Sequence, residues 1–263
     1  MARDVRRGIQ LSRRAAQSRL SLARRSVRAE ILDELAPADA RARRSRRDLQ
    51  RVNRVMGSCA ILRPAVGRAL ASLTASAAPR ILELGAGDGT LALRLARGLA
   101  ARWPSVELTL LDRQPLIAHP TGIAFAHLGW TLRPLTVDAL AWARAPTQRR
   151  HRQRWDVILA NLFLHHFEAD PLRELLAAAA ERCDTFIACE PRRGALAHLG
   201  ARLLPALAVS RDTLHDALAS VEAGFRGEEL SRLWPGERSR WRLMERRAGL
   251  FSHVFIATRG AVA

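Results

Sequence analysis

Ile81-Leu-Glu-Leu-Gly-Ala-Gly-Asp-Gly-Thr90 is a short apolar run that breaks into three alternating glycines and then into a helix-forming segment. A strand, a tight glycine turn and a helix, in that order, open the open-faced α/β sheets whose crevice receives a nucleotide-like ligand. Glycine belongs there because the turn needs positive φ and because a side chain would hold the ligand away from the main chain. The spacing is G-x-G-x-G after an acid, Glu83. It is not the G-x-G-x-x-G that sets a pyrophosphate on a helix N-terminus.

Outward from this loop, short apolar runs alternate with longer helical segments, the pattern of a mostly parallel sheet covered on both faces. The runs predict strands at Ile81–Leu84, Val106–Leu111, Leu132–Val137, Asp156–Ala160 and Thr185–Cys189, and two late strands near Trp241–Arg246 and Phe251–Thr258. Helices are clearest at Thr90–Arg102 and Leu172–Arg182, with another over Arg193–Leu204 and helical pieces in the polar stretch that follows. Upstream, Ser45 followed by Asp48 reads as a capping box, and Leu49, Val52 and Met56 recur at helical spacing, so a helix is expected over Ser45–Gly57. A second is expected over Ala60–Ala77, around Pro64. The chain then divides into a basic extension (1–44), flexible or helical, a helical cap (45–78) and one α/β domain (79–263).

Three further polar positions stand at expected strand ends. Asp112 closes the second strand, Asp138 follows the third, and Asn161 closes Trp155-Asp-Val-Ile-Leu-Ala-Asn161. Together with the glycine loop, these resemble the motifs of class I S-adenosylmethionine-dependent methyltransferases over most of residues 80 to 190. The resemblance implies a Rossmann-like seven-stranded sheet, mostly parallel with the last strand antiparallel, and S-adenosylmethionine as cofactor. It implies that Asp112 takes both ribose hydroxyls, a role that suits the two oxygens of a carboxylate. Asp138 would reach the adenine amino group, and Asn161 would lie beside the transferred methyl. The cofactor set is then Glu83, Gly85, Ala86, Gly87, Gly89, Asp112, Arg113, Asp138, Ala139 and Asn161. Each acid also has a purely structural reading: an aspartate at a strand end caps a helix, and Glu83 anchors a turn.

Asn161-Leu-Phe-Leu-His-His-Phe167 puts His165 and His166 just past the strand whose end would face the methyl donor. Histidine titrates near neutrality, so either is a candidate general base for a hydroxyl or an acidic carbon, and either also serves to shape the pocket. Ala-Asn-Leu-Phe replaces the Asn/Asp-Pro-Pro-Tyr/Phe pattern that receives exocyclic amines of nucleobases, which disfavours adenine as acceptor. Cys189 lacks the Pro-Cys partner motif of RNA cytosine methyltransferases and reads as a buried, inert thiol. The three cysteines, Cys59, Cys183 and Cys189, show no C-x-x-C spacing, so no disulfide framework and no metal site is expected.

The formal charge of +18 comes from arginine alone, with no lysine and no tyrosine in 263 residues, which points to codon bias in a GC-rich genome before it points to a ligand. More than half of that charge lies in residues 1–54, with 16 Arg against 6 acids. Nucleic acid is thus a possible partner and not the favoured one. The Arg-, Ser- and Ala-rich start mimics a transit peptide, and reads equally as a basic tail. No apolar run is long enough to span a bilayer, and a cytoplasmic location is expected. Arg46–Gly57 together with the glycine core resembles bacterial methyltransferases of the ubiquinone-biosynthesis-like group, which implies a small, apolar acceptor methylated on oxygen or carbon. In that reading the acceptor is roofed by 46–57 and 209–234, the latter carrying Phe225 and Trp234. The rivals are an RNA or protein methyltransferase tethered by the arginine-rich front, a non-catalytic nucleotide-binding module, and an NAD-dependent dehydrogenase, which the loop spacing weakens.

Overall fold

A computed structural model describes residues 22–73, 78–146, 154–236 and 238–260. Seven strands, β1 (Arg80–Leu84), β2 (Val106–Asp112), β3 (Trp130–Thr136), β4 (Trp155–Asn161), β5 (Cys183–Pro191), β6 (Trp241–Ala248) and β7 (Ser252–Arg259), form one sheet in the order β3-β2-β1-β4-β5-β7-β6. Strand β7 runs antiparallel to both neighbours, and the remaining pairs are parallel. This is the expected Rossmann-like sheet, with its last strand reversed. Successive connections run from β1 to one side and return through β4 to the other, so the crevice opens beyond the C-terminal ends of β1 and β4.

Because side chains alternate across a strand, each central strand feeds two cores. Leu82, Leu84, Ile158, Ala160, Phe186 and Ala188 face one core, whereas Ile81, Val157, Leu159, Ile187 and Cys189 face the other. Ten helices of the described residues flank the sheet. Those before it are α1 (Ile31–Glu34), α2 (Ala40–Met56) and α3 (Ser58–Ala71). Between and after the strands come α4 (Thr90–Leu99), α5 (His119–His127), α6 (Ala139–Arg144), α7 (Ala169–Arg182), α8 (Ala195–Arg202), α9 (Arg211–Ala223) and α10 (Glu229–Leu233). The first core is covered by α6, α7 and α10, and the second by α3, α4 and α5. No helix among the described residues is long and apolar enough to cross a membrane.

Helix boundaries differ from expectation where a better cap or stop exists. Asp39, not Ser45, caps α2, its carboxylate accepting from Arg41 N at 2.7 Å. Ser45 is buried inside the helix, and Asp48 instead accepts from Ser210 N at 2.8 Å, tying α2 to α9. Gly57, at φ 70°, closes α2 and separates it from α3. The expected boundary at residue 44 falls inside α2. Helix α3 ends at Ala71, and the remainder of its expected span, 74–77, lies outside the described residues. Helix α4 stops at Leu99, short of Arg102, in a turn before Pro104 that the proline helps to impose.

Candidate functional site

The turn from β1 into α4 holds Gly85, Gly87 and Gly89 at φ +65°, +57° and +75°, the left-handed region that glycine enters without strain. Ala86 N donates to Leu111 O at 3.0 Å, so the loop is laced to β2. A Cβ on Gly85 would collide with the Phe163 ring, whereas one on Gly87 would meet nothing within 4 Å. Gly87 therefore presents bare backbone to a cavity of about 670 Å³. Asp112 closes this corner: Oδ2 accepts from Gly87 N and Oδ1 from Gln114 N, both at 2.9 Å. Each oxygen has accepted one bond and retains a lone pair for a second donor.

The other expected cofactor residues also line the cavity, with different local duties, except Gly89, which is turned away from it towards Leu110 and Ile117. Asp138 caps α6, its Oδ1 accepting from Leu140 N at 2.9 Å and Ala141 N at 3.0 Å, so the capping role weighed from the sequence is present. Ala139 follows it, buried in the first turn. The Arg113 guanidinium reaches back to Asp33 Oδ1 at 3.0 Å. Glu83 is buried beneath the loop with Oε2 unpartnered; burial, then the charges of Asp88 and Asp112, push its carboxyl up to about 8. Asn161 donates to Asn53 Oδ1 at 3.2 Å, and its own Oδ1 has no partner.

His165 and His166 occupy a one-turn 3-10 segment, Leu164–His166, their rings 4.2 Å apart. His165 is enclosed, with Nδ1 2.8 Å from Glu190 Oε2 and Nε2 3.3 Å from Glu30 Oε1. His166 is 22% exposed, with Nδ1 2.9 Å from Phe163 O and Nε2 3.4 Å from Glu30 Oε2. Burial opposes the charged imidazole, but the hydrogen bond and charge of Glu30, with Asp33 behind, outweigh it and raise His166 to about 9. The same contacts overcome the burial of Glu30 and hold its carboxyl well below the usual carboxylate range. Glu30, His165 and His166 bring one ligand atom each within 4.8 Å, a donor set compatible with a divalent cation.

Glu30, Glu190, Arg25 and Gln50 were not singled out by sequence reasoning. Glu190 is fully buried at the end of β5 and accepts from Phe163 N and Leu164 N as well as His165, pinning the loop after β4. Its signal was present as an acid directly after an apolar strand, in Cys189-Glu190-Pro191. Arg25 donates to Phe167 O at 2.6 Å and His165 O at 2.9 Å and lies over the Phe225 ring, which fastens the N-terminal strap to the histidine segment. Gln50 of α2 donates to Asp88 Oδ2 at 2.6 Å, joining α2 to the glycine loop.

The expected roof is corrected in part. Helix α2 lines the cavity with Leu49, Val52 and Met56, and α9 with Ala217, Ser220 and Val221. Phe225 and Trp234 do not; both belong to the buried core, Trp234 packing on Phe186, Trp241 and Phe255. Cys189 is buried and its thiol is pushed up to about 12, as an inert group requires.

No protein-family model matches the sequence, and no curated protein matches it. Among solved structures, that of the plantazolicin methyltransferase BpumL in complex with SAH aligns with a TM-score of 0.57 at 12% identity, covering 85% of this chain and 92% of that one. BpumL with a monoazolic desmethylPZN analog and SAH aligns at 0.54 and 13% identity, over 82% and 90% of the two chains. At such identities the likeness is one of fold, the fold of the BpumL methyltransferase.

Proposed function

We propose that this chain is an S-adenosylmethionine-dependent methyltransferase that transfers a methyl group to oxygen or carbon of a small, apolar acceptor. One observation carries the reading: the bare backbone at Gly87 and the Asp112 carboxylate meet at 2.9 Å on the wall of a single cavity, so one ligand can touch both. The residues fit that ligand. Asp112 has acceptor capacity left for a ribose diol, Gly87 has open space in front of it, and Asn161 lines the same cavity. SAH, with which BpumL is in complex, is the demethylated form of the proposed donor.

S-adenosylmethionine supplies a methyl already activated on a sulfonium, so alignment and exclusion of water are the main tasks left to the protein. Helices α2 and α9 cover the crevice, and their apolar lining excludes water from the acceptor side. His166, the more exposed histidine, is the one an acceptor reaches; with Glu30 raising it to about 9, it takes an acceptor proton only in its neutral form, so methyl transfer that needs a base should quicken as pH rises towards 9. His165, closed between Glu30 and Glu190, positions His166 and Glu30. Three free cysteines support a reducing, cytoplasmic setting as part of the same proposal.

Calorimetry with S-adenosylhomocysteine and with NAD tests the reading first. One-site binding of S-adenosylhomocysteine and none of NAD is expected; the reverse would sink it. Incubation of the protein with labelled S-adenosylmethionine and cell extract should then yield an organic-extractable labelled product. Label appearing only in RNA or protein would overturn the small-molecule acceptor.

A further inference from the structure

The two histidines after β4 are held in a way that acid–base work alone does not require. His166 Nδ1 lies 2.9 Å from Phe163 O, a carbonyl that can only accept, so Nδ1 carries the hydrogen. His165 Nδ1 lies 2.8 Å from Glu190 Oε2, and that carboxylate selects the same tautomer. A neutral ring protonated at Nδ1 offers a bare lone pair at Nε2. Both Nε2 atoms meet Glu30, that of His165 at 3.3 Å from Oε1 and that of His166 at 3.4 Å from Oε2. Electron-pair donors from three side chains therefore converge, and all three side chains line the cavity. An Nδ1 hydrogen bond to a carboxylate or a carbonyl is how metal-binding histidines are oriented.

Distances select the occupant. Separations of 3.3 and 3.4 Å are longer than the usual N–H···O bond of about 2.7–3.2 Å, so a shared proton joins the cluster only loosely. Zn2+ binds imidazole and carboxylate at about 2.0–2.1 Å, and a tetrahedron with such bonds has an edge of about 3.3–3.4 Å. An octahedron at about 2.1 Å, which Mg2+ demands, has an edge of about 3.0 Å, and Mg2+ prefers oxygen to imidazole. Outer polar groups are in place as well. Ser220 Oγ donates to Glu30 Oε1, and Asp33 Oδ2 stands 3.8 Å from His166 Nε2. Among the described residues this is the one group of histidines, cysteines and acids that converges so. It holds no cysteine, so cysteine spacing gave no sign of it.

We infer that Glu30, His165 Nε2 and His166 Nε2 bind one zinc-like divalent cation in the cavity wall, with its fourth position open to the cavity. The ion ties the N-terminal strap to the segment after β4, joining residues 135 positions apart. It occupies the lone pair that His166 would use as a base, so the proton route proposed above belongs to the metal-free chain. That an acceptor oxygen takes the fourth position rests on the function proposed above; the binding of the ion does not.

Titration calorimetry of the full chain, first stripped with a chelator, tests the inference without S-adenosylmethionine or acceptor, so a failure of methyl transfer leaves its result standing. Zn2+ should bind at one site more tightly than about 1 μM, and equimolar Mg2+ should not displace it. Co2+ in place of Zn2+ should give the intense visible absorption of a four-coordinate ion, a readout that needs no variant. His166→Gln, at the partly exposed ligand, should weaken Zn2+ binding by about a hundredfold or more while keeping its circular dichroism. The double variant His119→Gln, His127→Gln, at exposed histidines of α5, should bind as wild type does. Zn2+ binding weaker than about 1 μM, a six-coordinate Co2+ spectrum, or unchanged affinity in His166→Gln would each overturn the inference. Loss of the tight site in the α5 variant would do the same, since the ion would then sit on the surface.

Discussion

Glu83→Gln isolates the electrostatic cost of the acid beneath the glycine loop. Glu83 is 2% exposed with Oε2 unpartnered, and burial, reinforced by Asp88 and Asp112, lifts its carboxyl from 4.5 to about 8. Between those values the folded chain holds a proton that the unfolded chain has released. More protons on the folded state mean that stability falls as pH rises through the window and levels off above it. At about 1.4 kcal/mol per pH unit, the shift from 4.5 to about 8 caps the loss at about 5 kcal/mol. Glutamine keeps the shape and removes the titration, so the variant should match wild type near pH 5 and exceed it by a few kcal/mol near pH 9. Urea denaturation at intervals across that range gives both curves. If wild type and variant change in parallel, the buried-acid reasoning is wrong. A cationic ligand beside Glu83 favours the ionised form, so affinity for S-adenosylmethionine should rise with pH in wild type more than affinity for uncharged-sulfur S-adenosylhomocysteine, and Glu83→Gln should erase that difference.

Gly87→Val should abolish S-adenosylhomocysteine binding, because the side chain would enter open cavity and the φ of +57° disfavours a β-branched residue; near-wild-type affinity by calorimetry would place the ligand elsewhere. Asp112→Ala should weaken binding and also lower stability by about 2–4 kcal/mol, since Gly87 N and Gln114 N lose a charged acceptor; chemical denaturation without ligand separates the two effects. Arg25→Ala should cost about 2–4 kcal/mol, as carbonyls of Leu164, His165, Phe167 and Ala223 lose one shared donor group, and a change below about 0.5 kcal/mol would remove the strap from the fold's supports. Glu30→Gln should lower the titration of His166 from about 9, followed by histidine NMR. His166, raised above its unfolded value of 6.5, contributes stability that is complete below that value and is lost as pH rises through about 9, and the variant should lack this loss.

The glycine-loop half of the crevice was legible because each of its parts is local. A strand, the turn after it and the helix after that are contiguous, so Glu83, the three glycines, Asp112, Asp138 and Asn161 announce themselves by where they stand relative to an apolar run. The sheet was legible for the same reason: strands buried on both faces, such as Val157–Ala160, read as unbroken apolar runs. Helices α5 and α6 were not placed, since α5 has no apolar stripe and α6 is only six residues long, started by the cap that Asp138 provides.

The other half, proposed above to take the acceptor, is assembled by contacts that leave no local trace. Glu30 meets His165 across 135 positions, Asn53 meets Asn161 across 108, and Ser220 meets Glu30 across 190. None of these residues lies in a periodic pattern that demands it, and Glu30 sits in an arginine-rich stretch whose composition argues for a tail. Consequently the two halves answer to different constraints. Under the proposed function, loop and acids must satisfy one fixed ligand through backbone geometry, whereas strap, α2, α8 and α9 can exchange side chains without disturbing β1 or β2. On that reading an acceptor of new shape requires changes only in segments outside the central strands, and it is there, from Arg25 to Met56 and from Ala195 to Ala223 but not at Arg25 or at Gln50 beneath the glycine loop, that substitutions should alter what is methylated while leaving the affinity for S-adenosylhomocysteine in place.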